Sequence, residues 1–170
     1  MHIGESLVGQ DANRAHINVV LGPKDGMAGQ AFAAGLTAIR PGHLPFLVVL
    51  KPGVLTRPTT LLVNKIAIAG EVHGRLTWGA AQMGVAKAMF EALESGDLPP
   101  GAEAGWVAVV TVLVPADAGD DDTVFRNNLA ATRQAIRNAV ADRPTRAECR
   151  AALADLGNRF YKPGPSVLGG

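Results

Sequence analysis

The sequence predicts an α+β domain, a mixed β-sheet with helices packed on it. Three observations carry this. Stretches with strand patterning and Ala-rich stretches with helical spacing are interspersed without strict alternation, which disfavours a doubly wound parallel sheet. The 170 residues suit one domain able to bury roughly two thirds of its unfolded surface. Apolar residues make up 48% and charged residues 18%, a globular balance; with only 5% aromatics, the core must be built from Ala, Val and Leu.

Residues 3–8 read as a first short strand. In 15–21, His16, Asn18 and Val20 alternate with Ile17, Val19 and Leu21, a second strand stopped by Gly22-Pro23. Residues 27–39 are predicted helical, with Met27, Ala31, Phe32, Leu36 and Ile39 as the packed stripe and Pro41-Gly42 as the stop. Residues 44–50 read as a buried strand, and Pro52 and Pro58 bracket an irregular connection. Residues 59–68 are a strand rich in β-branched side chains. Residues 76–95 are a helix ended by Gly96, and 106–114 a central strand. Asp120-Asp121-Asp122 opens a helix over 123–141, acidic side chains facing the positive end of its dipole; this reading is preferred to metal binding. A last short helix is expected within 144–156. The single domain spans 1–161, and 162–170, with Pro163, Pro165 and two terminal glycines, is a flexible or partner-docked tail.

The net charge of +1 argues against nucleic acid and membrane surfaces as partners. Cys149 is the one cysteine, so neither an internal disulfide nor a cysteine zinc cluster can form, and a reduced, cytoplasmic setting is expected. The first residues lack the pattern of a secretory signal. The apolar run 106–116 is about half the length of a membrane-spanning helix.

Up to Gln82 the chain resembles the tetrahydromethanopterin-dependent formaldehyde-activating enzymes, without a gap. The segments that carry the likeness are Gly4-Glu5-Ser6-Leu7-Val8-Gly9, Ala15-His16-Ile17, Gly22-Pro23-Lys24, Gly42-His43 with Pro45, Val63-Asn64-Lys65, and Gly79 with Ala81-Gln82. Asn128, Ala131-Thr132 and Ile136 fit the family's last helix, whereas its C-terminal end is not recognisable. The resemblance implies condensation of formaldehyde with tetrahydromethanopterin to the methylene derivative and water. It also implies a homopentamer with sites between neighbouring subunits, and a ribosomal-protein-domain-like left-handed βαβ arrangement, contrary to the usual right-handed crossover.

This chemistry needs one proton donor, because the carbinolamine formed first must lose its hydroxyl as water. A histidine suits that task near neutral pH. His16 matches the family's catalytic histidine; the alternative is an exposed polar residue on an alternating strand. Lys65 and Gln82 match family positions that contact the pterin, against plainer readings as a strand-end lysine and a helix-surface amide. Leu47 falls at another contact position and reads equally well as core. His43 is expected to be structural or exposed, and Trp78 to pack in the core or between subunits. His2, His16, His43 and His73 lack metal-ligand spacing, so no metal is expected. No permanently bound cofactor is expected either, with tetrahydromethanopterin or another reduced pterin as co-substrate.

Three positions depart from the family. Asn18 stands where the family has an aspartate, on the same strand face as His16, so hydrogen-bonding capacity stays and a charge is lost. Ala67 replaces a threonine, read as losing a hydroxyl from the strand face of Lys65. Val114-Pro115-Ala116 replaces a His-Trp pair. These changes suggest a diverged paralogue. Two functions follow: the enzyme, with His16 as general acid, or a non-catalytic formaldehyde- or pterin-binding carrier or regulator.

Overall fold

In chain order the computed structural model, which describes residues 1–158 and 160–164, contains β1 (His2–Val8), β2 (Ala15–Pro23), α1 (Met27–Thr37), β3 (Phe46–Leu47), β4 (Val49–Lys51), β5 (Val54–Leu55), β6 (Thr59–Asn64) and α2 (Glu71–Arg75). A π-helical turn, Leu76–Ala81, joins α2 to α3 (Gln82–Glu94). Then come α4 (Ala102–Gly105), β7 (Trp106–Leu113), α5 (Asp121–Val140), α6 (Arg146–Ala152) and a 3₁₀ turn, Leu153–Asp155. The main sheet has the order β1-β2-β7-β6-β3; β6 and β7 are parallel, and the other neighbours antiparallel. The expected α+β class holds. Of the proposed tail, residues 165–170 lie outside the described part.

One face of the sheet is the core. Ile17, Val19 and Leu21 of β2, Val110 and Val112 of β7, and Leu62 of β6 are fully buried against Val85 and Met89 of α3 and Ala131, Ala135 and Ile136 of α5. Each of the larger side chains among these, Val, Leu, Ile or Met, contributes about 1.5–3 kcal/mol relative to exposure. Small residues set how closely the layers approach. A Cβ on Gly4 of β1 would stand 1.9 Å from the Ala135 carbonyl oxygen, and one on Gly84 of α3 2.7 Å from that of Phe125. The helix α5 starts as the sequence predicts. Asp120 is its N-cap, accepting from the Thr123 N–H at 2.6 Å, and that bond holds the carboxyl below its ordinary range.

Four expectations need correction. The strand expected over 44–50 is split: β3 pairs with β6, while β4 turns away to pair with β5. The break falls at Val48, whose N–H donates to Thr60 and whose carbonyl accepts from Thr56, leaving Val49 N–H to the Gln82 side chain. The strand over 59–68 ends at Asn64, because the Asn64 amide donates to the Gly42 and Ile66 carbonyls and turns the chain. The helix expected from 76 begins at Glu71 and passes through the π turn. Finally, the stripe on α1 is turned around. Ala28 is buried and Phe32 half-buried, whereas Met27, Leu36 and Ile39 are 63%, 40% and 70% exposed. A Cβ at Gly35 would meet Leu61 at 2.9 Å, so the helix rests on its smallest side chains.

The helix α1 covers part of the second sheet face through β2, β6 and β7. It leaves open the end where β1 and β2 carry Glu5, Leu7, His16 and Asn18. Among the described residues, no helix is long and apolar enough to cross a membrane.

Candidate active site

The alternation of β2 puts His16 and Asn18 on the open face. Register completes two rows across the sheet. Leu7, His16 and Leu113 form one; Glu5, Asn18, Thr111 and Val63 form the next. Glu5 is therefore diagonal to His16 on the adjacent strand, a distance that a long side chain spans. Its Oε1 lies 2.8 Å from His16 Nε2, and both side chains are partly exposed. Thr111 Oγ1 donates to Asn18 Oδ1 at 3.3 Å, which fixes the amide's carbonyl toward β7.

Lys65 follows the last residue of β6, and its N–H still donates to the Val112 carbonyl at 2.8 Å. Its side chain is half-buried, and Nζ itself has no hydrogen-bond partner among the described residues. Desolvation lowers its pKa to about 8, with the Glu5 charge opposing the drop. The unfolded chain binds this proton up to about pH 10.5, the folded chain only up to about pH 8. Stability therefore rises with pH across that window, and the buried cation is a cost below it. Solvent near the stem discounts that cost to about 1 kcal/mol. Lys65→Met is accordingly expected to raise Tm by roughly 3 °C at pH 7, with the gain shrinking toward pH 10. Paired thermal melts at the two pH values would check it; a lower Tm at pH 7 would contradict it.

The remaining candidates lie elsewhere on the chain. Leu47, Gln82 and Trp78 line a groove of about 380 Å³ with Leu44, Phe46 and Val49. Gln82 is buried, not a helix-surface residue, and its Oε1 accepts from Val49 N–H at 2.8 Å. Trp78 is 41% exposed, which corrects the expectation of core packing in the isolated chain. Leu47 pairs with Leu61, three strands across the sheet from β2 and two rows further along than His16. At about 4.8 Å per strand and 3.3 Å per residue, the two groups are roughly 20 Å apart. One chain thus brings His16, Asn18 and Lys65 together, and holds Leu47 with Gln82 in a separate groove further along the sheet.

Two other histidines are structural. His43 Nδ1 lies 2.9 Å from the Asn64 carbonyl. His73 is buried; its Nδ1 accepts from Ala69 N–H, so Nε2 carries the proton donated to the Val114 carbonyl at 2.9 Å. That bond uses the Val114 main chain, so it does not depend on which side chains occupy 114–116. Ala67 lies beyond the end of β6, exposed, so it is not on the strand face of Lys65 as the sequence suggested. Glu5 and Thr111 were not singled out from sequence. The signal for both was register: once β1, β2 and β7 pair, the parity of His16 brings these two residues to its side.

An imidazole lies against a carboxylate on this face, and the buried Lys65 ammonium near it has no hydrogen-bond partner among the described residues. The family model of formaldehyde-activating enzyme (Fae) matches residues 3–161, well past Gln82. The chain is 40% identical over 158 residues to a 5,6,7,8-tetrahydromethanopterin hydro-lyase of Methanosarcina barkeri, covering 93% of this chain and 89% of that one. It is 39% identical over 142 residues to a bifunctional enzyme Fae/Hps of Methanothrix thermoacetophila, and 35% identical over 167 residues to one of Methanococcoides burtonii. These matches cover 84% and 95% of this chain but only 36% and 42% of the bifunctional proteins. The chain belongs to the formaldehyde-activating enzyme family.

Proposed function

We propose that this protein condenses formaldehyde with tetrahydromethanopterin to methylene-tetrahydromethanopterin and water, with His16 as general acid. The observation that carries the reading is His16 on an open sheet face with its Nε2 held by Glu5, near the Lys65 ammonium, which has no hydrogen-bond partner among the described residues. A pterin nitrogen adds to the formaldehyde carbon, and its proton passes to the oxygen, giving a carbinolamine. Protonation by the imidazole lets the C–O bond break and water leave. The second nitrogen attacks the iminium carbon and loses its proton, so one formaldehyde and two N–H bonds become N–CH₂–N and one water. The uncatalysed reaction already proceeds, so positioning and one proton transfer suffice.

In this reading Lys65 takes a carbonyl or carboxylate of the pterin and Asn18 its polar edge. Leu47 and Gln82 come from the groove of a neighbouring subunit, since one chain leaves Leu47 roughly 20 Å from His16, with Gln82 lining the groove beside it. An oligomer, the pentamer of the resemblance, is further supported by α1. That helix carries no charge and shows Met27 and Leu36 to solvent, with Ile39 exposed just beyond its end. The setting is the cytoplasm, and no cofactor stays bound between turnovers.

Stopped-flow absorbance of formaldehyde with tetrahydromethanopterin, and separately with tetrahydrofolate, is expected to show acceleration over buffer with the first. Ligand binding by calorimetry without any acceleration would overturn the enzymatic reading in favour of a carrier or regulator.

A further inference from the structure

We propose that Glu5 is the positioning residue for His16, holding the ring's Nε2 from the neighbouring strand so that one tautomer and one orientation face the substrate. The inference rests on the proposed general-acid role for its catalytic consequence, and on geometry alone for the contact itself.

The sheet leaves few ways to hold this ring. Asn18, two residues on and facing the same way, has its carbonyl oxygen engaged by Thr111 at 3.3 Å. Leu7 and Leu113, directly opposite His16 on the two flanking strands, offer no polar atom. Glu5 is the one carboxylate that the strand positions of this face carry among the described residues. Its length is what the diagonal requires: an aspartate there would end one methylene short of the imidazole. Its backbone is fixed independently of the side chain, by the β1–β2 ladder and by the Asn138 amide donating to the Glu5 carbonyl at 2.9 Å. The carboxylate is therefore aimed from an anchored strand.

With the carboxylate on Nε2, that nitrogen carries a proton in the neutral ring, and Nδ1 is the position that gains and loses one. The same carboxylate also lies close enough to Lys65 to act on its ammonium through space, so it stands between the His16 ring on β2 and the lysine at the end of β6. Arg143 and Glu148, which line the concavity at the outer side of Glu5, are paired with each other, so neither competes for it.

The kinetic test uses the full chain in five forms: wild type, Glu5→Gln, Glu5→Asp, His16→Ala and the double variant Glu5→Gln with His16→Ala. Glu5→Gln is expected to lower kcat by about tenfold to a hundredfold with KM within about twofold. Glu5→Asp, with the charge but not the reach, is expected to resemble Glu5→Gln. In the His16→Ala background Glu5→Gln is expected to cost nothing further, because its effect passes through the ring. A loss of equal size in that background, or a loss confined to KM, would overturn the proposal.

A second readout does not depend on turnover. Long-range ¹H–¹⁵N correlation of the His16 ring should show the Nε2–H tautomer in wild type and a mixture in Glu5→Leu. An unchanged tautomer pattern in Glu5→Leu would refute the contact. If the wild type shows the pattern but no catalysis, the enzymatic reading fails while the contact stands.

Discussion

Replacing His16 by alanine is expected to lower the rate of methylene-tetrahydromethanopterin formation at least tenfold, toward the 10² to 10⁴-fold typical of a lost general acid. The lower bound reflects the background reaction, which sets a floor under any variant. The substitution should be clean. The ring is 37% exposed and its recorded polar partner is Glu5, so truncation leaves no buried group unsatisfied. Circular dichroism and particle size are expected to match the wild type. The measurement is the stopped-flow assay at saturating pterin. Activity equal to wild type would remove His16 from the mechanism and return it to the status of a polar residue on an exposed strand.

The largest expected effect on stability belongs to Gly4. At 1.9 Å from the Ala135 carbonyl and 2.8 Å from Ala139 N, even a methyl group there overlaps the backbone of α5. Neither side can yield cheaply. The strand β1 is held to β2 along its whole length, and α5 is buried along the opposing face. Gly4→Val is expected to cost about 3 kcal/mol or more, the top of the usual overpacking range, and to lower Tm by roughly 10 °C. Gly119→Ala is the control: a Cβ there meets nothing within 4 Å, and its Tm should stay within about 2 °C. Calorimetric melts of the two variants decide it. An unchanged Tm in Gly4→Val would mean that the β1–α5 spacing adjusts freely.

Much of the fold was legible because local pattern and tertiary environment agree. β2 alternates in sequence and in burial, residue by residue from Ala15 to Leu21. The acidic run before α5 signalled a cap, and Asp120 is that cap. Patterning failed where tertiary contacts choose between equal options. The run over 44–50 is uniformly apolar, so nothing local marks Val48 as the point where Thr60 and Gln82 draw the chain into two pairings. In α1 nearly every side chain is apolar, so no polar face tells which side meets the sheet. Glycines at 70 and 74 disguised the start of α2 as a loop.

The site divides in the same way. His16 and Asn18 share a face by parity alone, which any reader of the strand obtains. Lys65 required the family likeness, because a lysine after a strand is ordinary. Glu5 required knowing which strand lies beside which. Pairwise register between segments is the information that a single sequence encodes least directly.

The π turn between α2 and α3 bears on this too. An α-helix advances about 100° per residue, and a wide turn takes up roughly one residue more than an α-helical turn in the same space. The segment thus works as a phase shifter in an otherwise continuous rod. Upstream of it His73 points to the Val114 carbonyl; downstream, Gln82 reaches the main chain at Val49. A uniform α-helix of the same span would aim only one of them correctly. The extra residue lets a single helix serve as a rivet for two different parts of the molecule, the end of β7 and the break between β3 and β4.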